Sequence, residues 1–137
     1  MTTPHHRDRP ETMFSTLLSV ALGGAIGASL RFLAGIGILR AIGPTSFPVA
    51  IISVNVIGSF LMGFFVVLAA QRGLDHLSPF VMTGLLGGFT TFSAFSLEAV
   101  TLYERGDFGQ AVLYITASVA LSIIGLIAGL AAARGLL

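Results

Sequence analysis

Three hydroxyls stand four residues apart in the last long apolar stretch of the chain, Tyr114, Ser118 and Ser122. That spacing stacks them on one face of a helix. A face carrying only uncharged donors reads as a track along which an anion is passed by hydrogen bonds; the competing use of helical serines is to bond back to their own backbone. A second set lies in Gly87-Gly88-Phe89-Thr90-Thr91-Phe92-Ser93-Ala94-Phe95-Ser96-Leu97-Glu98. Phe89, Phe92 and Phe95 recur there at every third position. Such a stripe serves ordinary packing or, because an aromatic ring has a positive edge, edge-on contact to a small anion with no fixed charge to trap it. Thr91, Ser93 and Ser96 add hydroxyls among the rings. Asn55, in Val54-Asn55-Val56-Ile57-Gly58-Ser59, brings a carboxamide whose two donors suit either a ligand or a neighbouring helix.

Other chemistries lack their residues. The chain has no cysteine, which removes disulfides, thiolate metal sites and thiol redox chemistry. His5 and His6 stand near the start and His76 in a short connection, so no histidine cluster has metal-ligand spacing, and an enzyme is not expected. Asp8, Glu11, Asp75, Glu104 and Asp107 fall in the tail or the connections. Glu98 ends the polar run of the third stretch and Arg31 the densest apolar part of the first, where each can snorkel towards water. No acid sits mid-span, as proton coupling would require. Seven Lys plus Arg against six Asp plus Glu give a net charge of +1, which is no footprint for nucleic acid.

The elements that must position these groups are set by composition. Of 137 residues, 55% are hydrophobic and 9% charged, with a mean hydropathy of +0.95; an ordinary soluble domain carries roughly 25% charged residues. Uncharged stretches run from Thr12 to Leu30, Ala41 to Gln71, His76 to Leu97 and Phe108 to Ala133, each matching the ~20 residues of a bilayer-spanning helix. The expectation is an all-α membrane protein whose domain, 13–137, has four spans at about 14–39, 47–70, 78–103 and 108–133, after a disordered polar tail at 1–12.

The third span is a poor continuous helix, because Gly87-Gly88 and Thr90-Thr91 favour local unwinding. A break mid-membrane would free carbonyls that need a partner. If it lay on the axis of an antiparallel dimer, the same carbonyls from two chains would converge on one small cation. Arginines balance across the bilayer: Arg7, Arg9, Arg72 and Arg134 on one side, Arg40 and Arg105 on the other. Either the chain inserts in both orientations and pairs head-to-tail, or its topology is fixed with little charge signal. Small residues at four-residue spacing, Gly23 and Gly27, Ser59 and Gly63, Gly84 and Gly88, Gly125 and Gly129, suit close helix contact within one subunit or between two.

Gly23-Gly24-Ala25-Ile26-Gly27-Ala28-Ser29-Leu30-Arg31-Phe32, the Asn55 segment continued through Phe60-Leu61-Met62-Gly63, and the Gly87 to Glu98 run together resemble the CrcB/Fluc fluoride channel family. The likeness extends from Gly23 to the last helix. It implies a dual-topology antiparallel homodimer in the cell (inner) membrane, with two fluoride pores and a central structural sodium ion held by the backbone carbonyls of Gly87 and Thr90 from both chains. It also implies a fluoride path along Asn55, Phe92, Phe95, Tyr114, Ser118 and Ser122, with Arg31 at the pore entrance and Ser93, Ser96 and Glu98 in lesser roles. The chain departs from the family at Ala50-Ile51, where a Gly-Thr pair is frequent, and at Ala94, where a Thr is frequent. Two rival readings stay open, a small multidrug-type proton-coupled exporter and a non-transporting assembly subunit.

Overall fold

The computed structural model of the chain describes residues 10–137. The expected tail disorder at 1–9 lies outside the described residues, and 10–12 already belong to a helix. That helix, α1 (Pro10–Ile42), begins at a proline, which suits a first turn because its missing amide hydrogen has no partner there anyway. After the Gly43-Pro44 connection comes α2 (Val49–Arg72). It is closed by Gly73 in the left-handed conformation (φ 65°, ψ 35°), whose amide donates to the Ala69 carbonyl. A single 3₁₀ turn (Asp75–Leu77) leads to α3, residues 79–89. Its first part (Pro79–Leu86) is wound in the wide π form, and its last turn (Gly87–Phe89) is α-helical. The backbone is extended at Thr90 (φ −82°, ψ 160°) and Thr91 (φ −150°, ψ 118°) before α4 (Phe92–Glu104). A tight connection with Gly106 at φ 80° turns the chain into α5 (Phe108–Leu136).

Four segments are long and apolar enough to cross a bilayer: Thr12–Ile42, Val49–Arg72, Asp75–Glu104 and Phe108–Leu136. They follow the four expected spans and overrun them at most ends, because apolar character and helix caps, rather than the first charge, set where each helix stops. Arg40, Arg72 and Arg134 each lie in the last turn of their helix, where a cation faces the negative end of the helix dipole.

In a lipid-like surrounding there is little hydrophobic drive between helices, so close packing must hold them together. Two helix pairs do so through backbone contact. α1 lies on α3: a Cβ added to Gly84 would stand 2.8 Å from the Val20 carbonyl oxygen, and one added to Gly88 would stand 2.7 Å from that of Gly24. Gly23 and Gly27 meet Phe80 and Leu85 in return. α2 lies on α5 in the same fashion, with Gly125 against Val56, Gly129 one turn further against Phe60, and Gly63 against Leu126 and Leu130. These pairings advance in the same direction along both helices, so α2 and α5 run parallel. Of the small-residue pairs, Gly23, Gly27, Gly63, Gly84, Gly88, Gly125 and Gly129 thus serve contact inside one chain. Gly88 is helical and its missing side chain is a packing feature; the residues that leave the helix are Thr90 and Thr91.

α4 packs on α5 through a small core of Ala99, Leu102, Ala111 and Tyr114, with Phe47, Ile51, Ile52 and Phe95 against it. The long outer faces, such as Leu17, Leu22, Ile26, Leu33, Val112 and Ile124, remain exposed on the single chain.

Gly129→Ala would place a methyl 3.0 Å from the Phe64 amide nitrogen and closer still to the Phe60 carbonyl. The expected result is a loss of about 1–3 kcal/mol, read as a lowered thermal midpoint in detergent. Gly109→Ala, where nothing lies within 4 Å, should leave the midpoint unchanged or raise it.

Candidate functional site

The interruption between α3 and α4 is held from across the molecule by one side chain. Asn55, on the second turn of α2, donates from Nδ2 to the Thr91 carbonyl at 3.1 Å and accepts at Oδ1 from the Thr91 amide at 2.8 Å. A carboxamide matches a peptide group in this way because it offers one acceptor and one donor side by side. Thr91 is then capped from its own side chain. Its Oγ1 accepts from the Ala94 amide at 3.2 Å and shares a hydrogen bond with Ser93 Oγ at 3.3 Å, the usual work of a helix N-cap. Thr91 is 8% exposed.

The pairing has a second effect. In a continuous helix the Thr91 amide would donate to the Gly87 carbonyl, four residues back; here it goes to Asn55 instead. The Thr90 amide and hydroxyl both donate to the Leu86 carbonyl, each at 3.0 Å, while the Thr90 carbonyl receives no hydrogen bond among the described residues. Gly87 and Thr90 therefore each present a carbonyl without its helical partner. Among the described residues no group of three or more His, Cys, Asp or Glu is gathered into a metal site.

Beside the interruption lies a cavity of about 410 Å³ between α2, α4 and α5. Asn55, Phe92, Phe95, Ser118 and Ser122 line it together with Thr90, Thr91, Gly58 and Ser59; Met62, Val119, Ile123 and Leu126 form its apolar part. Five residues expected on an anion path, from three different helices, are thus brought into one wall. That wall carries amide, hydroxyl and aromatic groups and no ionisable side chain. The Phe92 and Phe95 ring centroids are 5.2 Å apart at 47°.

Tyr114 is not on that wall. It is fully buried behind Phe95, with ring centroids 5.4 Å apart, and takes the edge of Phe47 at 5.8 Å and 88°. Its hydroxyl and the Ser118 Oγ, one helical turn on, are both buried and have no well-formed hydrogen bond to the rest of the chain, a costly condition for polar atoms. Arg31 lines a second cavity of about 330 Å³ with Ala28, Phe32, Gly35, Val54 and Thr91. Ala50, Ile51 and Ala94, the three positions at which the chain departs from the family pattern, all fall in this second wall. Ser96 bonds back to the Phe92 carbonyl at 2.9 Å. Gly87, Ser93, Ser96 and Glu98 line neither cavity.

Sequence reasoning counted Thr91 as one hydroxyl among the rings and as half of a doublet that favours unwinding, and did not find it as the hub. A threonine directly ahead of an apolar helical run is the N-cap signal that marks it. It also placed Ser59 in a packing pair, although a position four after Asn55 shares its helix face. Removing the latch should be measurable: Asn55→Ala is expected to cost about 1–3 kcal/mol and to speed hydrogen exchange at the Thr91 amide. Asn55→Asp, which keeps one acceptor but sets a second carboxylate oxygen against the Thr91 carbonyl, should cost at least as much. Unchanged exchange at Thr91 in Asn55→Ala would show that the interruption is held by something else.

Comparisons with known proteins place the chain in a family. Residues 18–130 match the family model described as CrcB-like protein, Camphor Resistance (CrcB). A Ruegeria sp. (strain TM1040) protein named fluoride-specific ion channel FluC is 70% identical over 125 residues, 91% of this chain and 99% of the relative. One of the same name from Roseobacter denitrificans is 69% identical over 121 residues, 88% of this chain and 96% of the relative. Another from Paracoccus denitrificans is 49% identical over 124 residues, 90% and 98% of the two chains. With four helices able to span a bilayer and relatives that are named as ion channels and not as enzymes, the chain is a multi-pass membrane protein that belongs to the CrcB-like (camphor resistance, CrcB) family.

Proposed function

We propose that the chain is a passive fluoride-selective channel of the cell (inner) membrane that lets cytoplasmic fluoride leave and so confers fluoride resistance. The observation that carries this reading is the shared wall of Asn55, Phe92, Phe95, Ser118 and Ser122, alongside relatives named as fluoride-specific channels. Fluoride crosses bilayers as its neutral acid and ionises inside; a selective leak for the anion then lets the membrane potential drive it out, with no coupled energy source. An uncharged wall of donors and ring edges suits that task, because permeation needs binding strong enough to replace hydration and weak enough to release. Tyr114 and Ser118 keep buried hydroxyls one helical turn apart, with Ser118 on the cavity wall, which supports their place in the polar track. Arg31 stands at the pore entrance.

The working unit is an antiparallel homodimer of two oppositely inserted copies, with two pores. The carbonyls of Gly87 and Thr90 from both copies hold a structural sodium ion at its centre. The donor set fits such an ion, since carbonyls of interrupted helices are the usual ligands of sodium at membrane depth and these two lack their helical donors. When bound, the ion supplies fixed positive charge that locks the two interruptions together.

In liposomes holding the full chain, with the potential clamped by an ionophore, fluoride efflux is expected and chloride efflux is not; no efflux from folded dimer would reject the channel. Replacing Phe92 and Phe95 together by Ile should cut fluoride efflux at least tenfold with the dimer intact, and unchanged efflux would sink the ring-edge role. For the ion, the dimer's thermal midpoint should be higher in sodium than in a large organic cation at equal ionic strength. Equal midpoints would remove the sodium site.

A further inference from the structure

Many helical hydroxyls in this chain are used up by their own helix. Ser19, Ser29, Ser53, Ser96 and Thr101 each donate to the carbonyl four residues back, at 2.7–3.0 Å. That is the default for a hydroxyl in apolar surroundings, where an unbonded donor is costly. Three hydroxyls of the first cavity break the habit: Ser59, Ser118 and Ser122 line it and none donates to its own helix, and Ser59 and Ser122 form no hydrogen bond among the described residues. Ser118 and Ser122 are expected members of the polar track. Ser59 is not, and it sits on a different helix.

The register of the two helices says where Ser59 falls. α2 and α5 run parallel, with Phe47 beside Tyr114, Val56 beside Gly125 and Phe60 beside Gly129. Asn55 is therefore near the level of Ser122, and Ser59 lies about one turn further along. On α5 the next position of the hydroxyl face after Ser122 is Leu126, which is apolar and lines the same cavity. The donors Tyr114, Ser118 and Ser122 thus end on α5 where Ser59 begins on α2. Leu126 lies near the level of Ser59, and beyond it on α2 the wall holds Met62.

We infer that Ser59 is the last donor of the fluoride path, the point at which the polar track crosses from α5 to α2 before the wall turns apolar. This rests on the channel reading above. An ion leaving Ser122 towards the apolar end meets Ser59 Oγ as its final hydrogen-bond donor, so loss of that hydroxyl lengthens the donor-free stretch by a turn.

The test uses the full chain reconstituted in liposomes and compares it with Ser59→Ala, Ser59→Thr and Ser53→Ala. Ser59→Ala should slow fluoride efflux about tenfold, the weight of one hydrogen bond to a charged group. Ser59→Thr should keep most of the flux. Ser53→Ala, whose hydroxyl is bonded to Val49 and lines neither cavity, should match the parent. A parent that passes fluoride with a Ser59→Ala variant equally fast overturns this inference alone; a parent that passes none overturns the channel reading and this inference with it. A second readout avoids reliance on one slowed rate. Because the chain has no cysteine, Ser59→Cys carries a single thiol, and silver ion, which seeks thiolate, should block its remaining flux. Ser53→Cys should be insensitive. Silver that leaves Ser59→Cys flux unchanged, in folded dimer, places the side chain off the path and overturns the assignment.

Discussion

The two hydrogen bonds between the Asn55 carboxamide and the Thr91 peptide are the constraint on which the rest depends. Backbone that leaves a helix at membrane depth must find partners inside the protein, and Asn55 satisfies both groups of one residue at once. It thereby diverts the amide that would have closed the turn onto Gly87. Without the pairing, the amide and carbonyl of Thr91 would both lose their partner, and the segment that carries Phe92 into the first cavity would lose its tie to α2. A single polar side chain on α2 therefore decides the geometry of a segment 36 positions away in sequence.

Around that latch the molecule divides into two bodies with backbone contacts inside each. α1 and α3 touch through Gly23, Gly27, Gly84 and Gly88; α2 and α5 touch through Gly63, Gly125 and Gly129, with α4 laid on α5. Close approach of this kind gives dispersion and carbonyl contacts that lipid cannot match. The second cavity lies where the two bodies meet, between α1, α2 and α4, and the first lies beside it, between α2, α4 and α5. Thr91 stands in the wall of both, so its position sets the shape of each.

Much of this is legible in the sequence for a plain reason. Charge is so expensive in a bilayer that its absence marks the spans, and the hydroxyl spacing of Ser118 and Ser122 reports a helix face directly. The Gly-Gly and Thr-Thr doublets announce irregular backbone near 87–91, but which doublet leaves the helix depends on what faces it. Gly88 meets Gly24 and stays helical, while Thr91 meets Asn55 and does not. Tyr114 shows the same limit: its spacing puts it on the face of Ser118, yet the rings of Phe47 and Phe95, from distant parts of the chain, close over it. Ser59 was hidden because a small residue four before a glycine reads as packing until the register of α2 on α5 is known.

The division between backbone-held bodies and a side-chain-lined seam bears on how such a protein can drift. The glycines that hold the bodies together have no side chain to vary, and nearly any replacement there strikes a carbonyl. The seam is lined by side chains of Ala50, Ile51 and Ala94 on one side of Thr91 and of Ser59, Met62 and Leu126 on the other. Side chains along the seam can therefore be exchanged, polar for apolar, and so retune what the wall offers, at far less cost to the scaffold than any change at the contact glycines.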